Sequence, residues 1–391
     1  MVAFNDSLGE SDSQTVTNAS DGCFEHVWGP FCCIITIVIL HVKRRSAPPN
    51  KRLHLSPRRG AGVGHFVTRG CSVRSNQKRF QNKQSFRGAG EPRAVRAHAP
   101  GNILKRRTFI QVAGLGSVTA LAGYAGWYEP NQYEFSFHRL GDQELPTNGT
   151  IRFAQLSDIH LSEISDFHRR LIKGIVDQRL DFLVFSGDII ERNSQLSVLD
   201  EFLSMFPRDQ QKYAILGNWE HWGGVSVEKL ASVYERHNCR LLINESIVHW
   251  TGQSHLLLTG LDDMVGGIPS LEHALIGCEP RANHLLLIHS PVFVEKAHEI
   301  LLGKESSDSF VPAADLRSFE IRYALAGHTH GGQVNLLGIR PFLPQGSGRY
   351  VAGWYRDIKP SLYVSRGIGT SILPVRIGSV PEIPVFEYRC T

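Results

Sequence analysis

The sequence is poor in features that would hold a small extracellular fold together or thread a chain repeatedly through a membrane. Its 391 residues include only seven cysteines. Four of them (Cys23, Cys32, Cys33, Cys71) fall in the first fifth of the chain, and the remaining three (Cys239, Cys278, Cys390) form no C-x-x-C pair and no disulfide spacing. Cysteine is therefore not the scaffold. Long apolar runs are also missing. The one apolar run, Phe31 to Val42, has 12 residues, short of the roughly 20 that cross a bilayer as a helix. A hydrophobic content of 42% with 20% charged residues excludes wholesale disorder, a collagen repeat and a multi-span membrane protein. No internal repeat is present.

Acidic residues are scarce only at one end. Residues 1–108 carry 18 Lys+Arg against 6 Asp+Glu, and residues 109–391 carry 24 against 31. A basic leader thus precedes a mildly acidic body, and the overall +5 describes neither. The sequence pI of 8.8 is then no argument for nucleic-acid binding by the body. Between Lys43 and Pro100 the only acid is Glu91, prolines recur and apolar periodicity is absent, so residues 1–100 are expected to be a disordered leader.

The segment after the leader reads as an address. Lys105-Arg106-Arg107-Thr108-Phe109-Ile110 places two arginines before Thr108–Tyr128, 21 residues without a charge and rich in Gly and Ala, with Ala120-Leu121-Ala122 as a small-residue cleavage site. Residues 101–127 resemble a bacterial twin-arginine export signal or a membrane anchor. Such signals normally start near the initiator, and translation beginning near Asn102, with a leader that is not made, accounts for the position of this one.

From Ile151 the chain alternates aliphatic runs with amphipathic stretches. Ile151–Leu156, Phe182–Phe185 and Tyr213–Leu216 are expected strands, and Phe167–Arg179, Gln195–Phe206 and Val225–His237 are the helices between them. Further strands are expected at Leu241–Asn244, Leu256–Thr259, Leu285–Ile288, Tyr323–Ala326 and Gln333–Leu337, with short ones between Leu362 and Tyr388. The pattern predicts an α/β fold, a four-layer αββα sandwich of two mixed sheets flanked by helices, with loops converging at strand carboxyl ends.

Those loops hold the chemistry. Successive strand ends are followed by Asp158-Ile159-His160, Gly187-Asp188, Gly217-Asn218, His289 and Gly327-His328-Thr329-His330. Singly, Asp158 reads as a helix cap, His289 as a core histidine and Asn218 as a turn residue; five in succession do not. Carboxylate, amide and imidazole without thiolate suit two divalent metals such as Mn, Fe or Zn in near-octahedral sites. In Asp158-x-His160 and His328-x-His330, the i, i+2 spacing lets both side chains of an extended, twisting segment reach one centre. His168, His237, His249, His255, His273, His284 and His298 fall on helices or strand flanks and read as surface or core residues.

The ordered series D-x-H, G-D, G-N, H, G-H-x-H resembles the calcineurin-like metallophosphoesterases. That resemblance implies one metal on Asp158, His160 and His330, a second on Asn218, His289 and His328, and Asp188 bridging both. It also implies a phosphoesterase domain over residues 128–391, in which a metal-bridging hydroxide attacks phosphorus in line. Tyr128-Glu129-Pro130, Gly331-Gly332-Gln333, Arg349–Gly353, Ser365–Ser371 and Pro374-Val375-Arg376 resemble its exported or membrane-associated bacterial phosphodiesterases. The implied substrate is a small-molecule or lipid phosphoester, the partners are the twin-arginine export machinery and a membrane surface, and the location is the extracytoplasmic face of the cytoplasmic membrane. No nucleic acid is expected. One departure stands out: the family has His after the G-N pair, where it protonates the leaving oxygen, and this chain has Trp219. His221 is expected to take over that catalytic role beside Asp188, with Glu220 as the other nearby candidate. Two alternatives are a UDP-2,3-diacylglucosamine-type pyrophosphate hydrolase of lipid A synthesis, which an export signal disfavours, and a metal-binding protein that has lost catalysis.

Overall fold

The computed structural model describes residues 106–142, 144–304 and 316–391; the leader and its Phe31–Val42 run lie outside the described residues. The chain divides into units at residues 1–112 and 113–391. The first described element is a helix, α1 (Arg106–Gly123), whose residues 108–121 are all exposed. It gives way to a π turn, Tyr124–Tyr128, and a 3-10 turn, Glu129–Asn131.

The alternation of apolar residues explains the layers. In β2 (Gly149–Leu156), Ile151 and Phe153 face one core while Ala154 and Leu156 face another. β3 (Phe182–Ser186) and β4 (Gln211–Ile215) repeat this: Phe182, Val184, Tyr213 and Ile215 share the first core, and Leu183, Phe185 and Ala214 the second. A strand buried on both faces reads as a continuous apolar run, because successive side chains point to opposite sides. The second core is closed by α2 (Asp166–Val176), α3 (Leu196–Ser204) and, beyond a short α4 (Asn218–Trp222), α5 (Val227–Arg236), through Leu171, Phe202 and Leu230 among others.

The first core is the seam between two sheets. Strands β5 (Cys239–Leu241), β1 (Glu134–Leu140) and β12 (Glu382–Cys390) complete a six-stranded sheet ordered β1-β12-β2-β3-β4-β5. Opposite it, β6 (Glu245–Thr251), β7 (Ser254–Gly260), β8 (His284–Leu287), β9 (Tyr323–Ala326), β10 (Gly353–Tyr355) and β11 (Ser361–Val364) form a sheet ordered β10-β11-β9-β8-β7-β6. Both sheets are mixed: β2-β3-β4-β5 and β7-β8-β9-β11 run parallel, while β12 against β2 and β6 against β7 run antiparallel. Leu256, Leu258, Leu285, Leu287 and Leu325 meet the first sheet, and Leu257, Leu286, Ala324 and Ala326 meet α6 (Leu271–Leu275) and α7 (Phe293–Leu301) on the outside. The result is four layers, helices over sheet over sheet over helices.

Two expected strands are corrected. Gln333–Leu337 makes only single bridges, Val334 to Ile377 and Leu336 to Ile339. Gly331, Gly332 and Gln333 all have positive φ, which folds the chain back before a ladder forms. Leu241–Asn244 ends as a strand at Leu241, because Asn244 turns at φ 52° and its Oδ1 accepts from Asp262 and Ser270 N–H. Strands β1 and β6 were not expected. The three cysteines of the body are free thiols.

Candidate metal centre

The carboxyl ends of β2, β3 and β4 in one sheet and of β8 and β9 in the other bring all seven residues singled out in the sequence into one buried region. Asp158, His160, Asp188, His328 and His330 have φ between 50° and 74°. Left-handed backbone is sparsely populated for residues with a Cβ and persists only where the surroundings over-determine it. The i, i+2 pairs therefore converge through two left-handed turns each, and not as the extended segments expected from their spacing. Close approach helps: a Cβ on Gly217 would stand 2.3 Å from Asp188 Oδ1, and one on Gly327 would stand 2.6 Å from Asp158 Oδ2.

The side chains form two clusters. Asp158, His160 and His330 offer ligand atoms all within 4.8 Å of one another, as do Asp188, His289 and His328. Asn218 joins the second, its Oδ1 lying 2.8 Å from His328 Nδ1 and 3.2 Å from His289 Nε2. Asp188 Oδ2 stands between the clusters, 3.0 Å from His289 Nε2 and 4.0 Å from His160 Nε2.

Proton placement shows what this arrangement accommodates. The outer ring nitrogens of three histidines already face acceptors: His160 Nδ1 meets the Glu191 carboxylate at 3.1 Å, His289 Nδ1 the Ser186 carbonyl at 2.8 Å, and His328 Nε2 the Gln345 carbonyl at 2.6 Å. With those N–H groups donated outward, the inner nitrogens present lone pairs to one another and to carboxylate and amide oxygens. His328 Nδ1 and His289 Nε2 are 3.3 Å apart, and His160 Nε2 and His330 Nε2 are 3.1 Å apart. Acceptors crowded this way are mutually repulsive unless a cation lies among them, so the donor set fits divalent metals.

The charges agree. Burial alone would raise the Asp188 carboxyl, yet His289 beside it and the Trp219 N–H at 2.9 Å hold it well below the usual carboxylate range. Burial, with His289 next to it, lowers His328; burial, with His160 and Arg376, lowers His330 further. Both rings stay neutral, the form that ligates.

Other residues now have defined places. Glu220 does not face the site: its carboxylate accepts from the backbone N–H groups of Gly217, Asp188, Ile189 and Ile190, at 2.7 to 3.1 Å, and so pins the Asp188 loop. It is thereby removed as a candidate acid. Trp219 packs edge-on against His160, with ring centroids 5.8 Å apart. His221 Nε2 lies 2.6 Å from Asp262 Oδ1, and that hydrogen bond raises the imidazole pKa above its ordinary value. This pair lines a cavity of about 550 Å³ with Asn244, Gly266, Ile268 and His273. A Cβ on Gly266 would come within 3.0 Å of Asn218 Cα, so the cavity adjoins the second cluster. Asp262 was missed in the sequence, although it follows a strand end, β7, as the recognised residues do. Glu191 and Gln345 carried no signal of their own. Of the histidines read as surface or core residues, His168 caps α2 and His284 bonds Thr259.

Comparison with known proteins gives this arrangement a context. Residues 151–332 match the model of the calcineurin-like phosphoesterases. The chain is 27% identical over 308 residues to an uncharacterized metallophosphoesterase of Bacillus subtilis, YkuE, spanning 74% of this chain and 99% of that one. It is 28% identical over 302 residues to the phosphodiesterase YaeI of Escherichia coli, 73% of this chain and 99% of that one. A transmembrane protein with metallophosphoesterase domain from Bos taurus is 26% identical over 295 residues, 70% of this chain and 60% of that one.

Proposed function

We propose, from the premise that residues 151–332 are a calcineurin-like phosphoesterase domain and the chain is a phosphoric ester hydrolase with two divalent metal cofactors, that it hydrolyses a phosphodiester. Asp158, His160 and His330 would hold one metal and Asn218, His289 and His328 the other, with Asp188 placed to serve both. When bound, the two ions supply Lewis-acid stabilisation of the phosphoryl oxygens and a water of lowered pKa. The chain's own residues do the rest. Glu191, Ser186 and Gln345 orient three of the imidazoles; the Trp219 N–H and Glu220 fix the Asp188 carboxylate and its loop. His221, kept charged by Asp262, protonates the departing oxygen from the adjoining cavity, in place of the family histidine that Trp219 displaces.

The convergence of inward-facing imidazole lone pairs on one carboxylate carries this reading, and the phosphodiesterase relative supports a diester. Elemental analysis of the purified protein, paired with assays on bis-(4-nitrophenyl) phosphate and 4-nitrophenyl phosphate, tests it. Active protein should contain about two divalent ions per chain and prefer the diester. Asp188→Asn should fold, lose most activity and hold less metal. Active protein without stoichiometric metal would refute the mechanism.

The same reading places the enzyme outside the bacterial cytoplasm. Its support is the Arg106-Arg107 pair ahead of an uncharged segment, Thr108–Tyr128; the helical stretch Thr108–Asn131 is long enough to cross a membrane, with a mean hydropathy of 1.3 over an 18-residue window.

A further inference from the structure

We propose that the rim of the metal centre is a bilayer-docking surface, so that the site takes phosphoesters held in a phospholipid membrane. The inference rests on the hydrolase reading above and adds where the substrate comes from.

The first observation is where apolar side chains are exposed. After His330 the chain runs through Leu336, Leu337, Ile339, Phe342 and Leu343, all exposed, and returns at Gln345, whose carbonyl accepts from His328. A second loop presents Ile372, 87% exposed, beside the first: Gln333 donates to the Leu373 carbonyl and accepts from Ser371 N–H. A third presents Met264 and Ile268, the latter 81% exposed, and abuts the first at Gly346, where a Cβ would meet Val265. These loops adjoin one another and the clusters, and large apolar side chains gathered beside a site mark an interaction surface. Leu337 and Ile372 also hold positive φ, a conformation that bulky and β-branched residues rarely adopt, and both project into solvent.

The second observation identifies the occupant. The apolar helix ends in Tyr124, Trp127 and Tyr128, all exposed, the aromatic types that settle at a membrane–water interface. That turn is tied to the site. The Ala125 carbonyl accepts from Arg376 N–H, and the buried Glu129 carboxylate accepts from Gly378 and Ser379 N–H. Arg376 Nη2 lies 3.3 Å from His330 Nδ1, and Ser379 Oγ donates to the His330 carbonyl. One loop therefore touches both the end of the apolar helix and a residue of the metal centre. Charge agrees: residues 331–356 contain no acid, and although Asp357 engages Arg349, Arg340 and Arg356 remain to meet anionic headgroups. An apolar rim with interspersed arginine, joined through the Arg376–Ser379 loop to the end of an exposed apolar helix, fits a lipid surface.

The test uses the full chain reconstituted in vesicles of phosphatidylglycerol and phosphatidylethanolamine. Phe342→Trp should add emission that is quenched when the acyl chains are brominated. A second variant, Leu337→Asp/Ile339→Asp/Phe342→Asp/Ile372→Asp, keeps the helix and places Asp where left-handed backbone is tolerated. It should hydrolyse soluble bis-(4-nitrophenyl) phosphate at the native rate yet lose roughly tenfold or more on phosphatidyl-4-nitrophenol in the vesicles. Unquenched added emission, or equal rates relative to native on both diesters, overturns the proposal. If the native chain cleaves neither diester, the diesterase reading fails instead, and the quenching alone decides the docking.

Discussion

At the scale of single residues, the departure at Trp219 has the clearest chemical consequence. An indole cannot protonate a leaving group, and the imidazole two residues on, His221, is held by Asp262 at 2.6 Å. In the proposed role the protonated ring is the acid, so activity should fall as pH rises through its pKa. Asp262 raises that pKa, and Asp262→Asn should move the alkaline fall to lower pH while leaving the acidic limb in place. His221→Ala should slow an alkyl diester by about 10²-fold or more and an aryl diester far less, since a nitrophenolate departs without help. A kcat–pH profile on both substrates checks this; equal losses would make His221 a binding residue. Glu191 acts one step further out, and Glu191→Gln should weaken metal affinity roughly 10 to 100-fold through the freed His160 ring.

At the scale of elements, the joint between helix and body is a small structure of its own. Glu129 is almost fully buried, and its two oxygens satisfy two backbone N–H groups of the Arg376–Ser379 loop. Glu129→Ala leaves both donors buried without a partner, at about 1 to 3 kcal/mol each. The variant should melt at lower temperature and be cleaved by protease near Trp127, with weaker metal binding because Ser379 supports His330. Glu129→Gln, which keeps one acceptor, should fall between. The left-handed turns at five of the seven candidate ligands follow the same logic, since a strained loop persists where neighbouring elements hold it from several sides.

For the whole molecule, the metal centre is also a clasp. Its residues come from both sheets, so bound ions join the carboxyl ends of β2, β3 and β4 to those of β8 and β9. A ligand that binds only the folded chain stabilises it by about 2.7 kcal/mol at a hundred times its dissociation constant. Chelation should therefore lower the melting temperature, and added Mn should restore it in a concentration-dependent way; a melting temperature indifferent to chelator would contradict the clasp. Location is tested at this scale as well. Replacing Arg106 and Arg107 by Lys should abolish export of a reporter fused after Ala125, because the pathway reads the guanidinium pair. Export unchanged by that replacement would remove the twin-arginine assignment.

The sequence by itself determined what is local. Alternation along Ile151–Leu156, Phe182–Phe185 and Tyr213–Leu216 marks strands buried on both faces, and a strand end followed by Asp, Asn or His marks a loop that carries chemistry. Both signals lie within a few residues of each other. Only the tertiary structure decided the rest. β1 pairs with β12 from the far end of the domain, and only Leu140 among its side chains is fully buried, so it left no clear apolar pattern to read; β6 pairs with the neighbouring β7, but only its His249 is fully buried. Gln333–Leu337 has a strand's composition, but its neighbours across the fold draw it into a turn. Asp262 finds His221 across 41 residues, and Glu220 turns from the site to the Asp188 loop. Such pairings depend on how two sheets pack face to face, and no propensity summed over neighbouring residues contains that information.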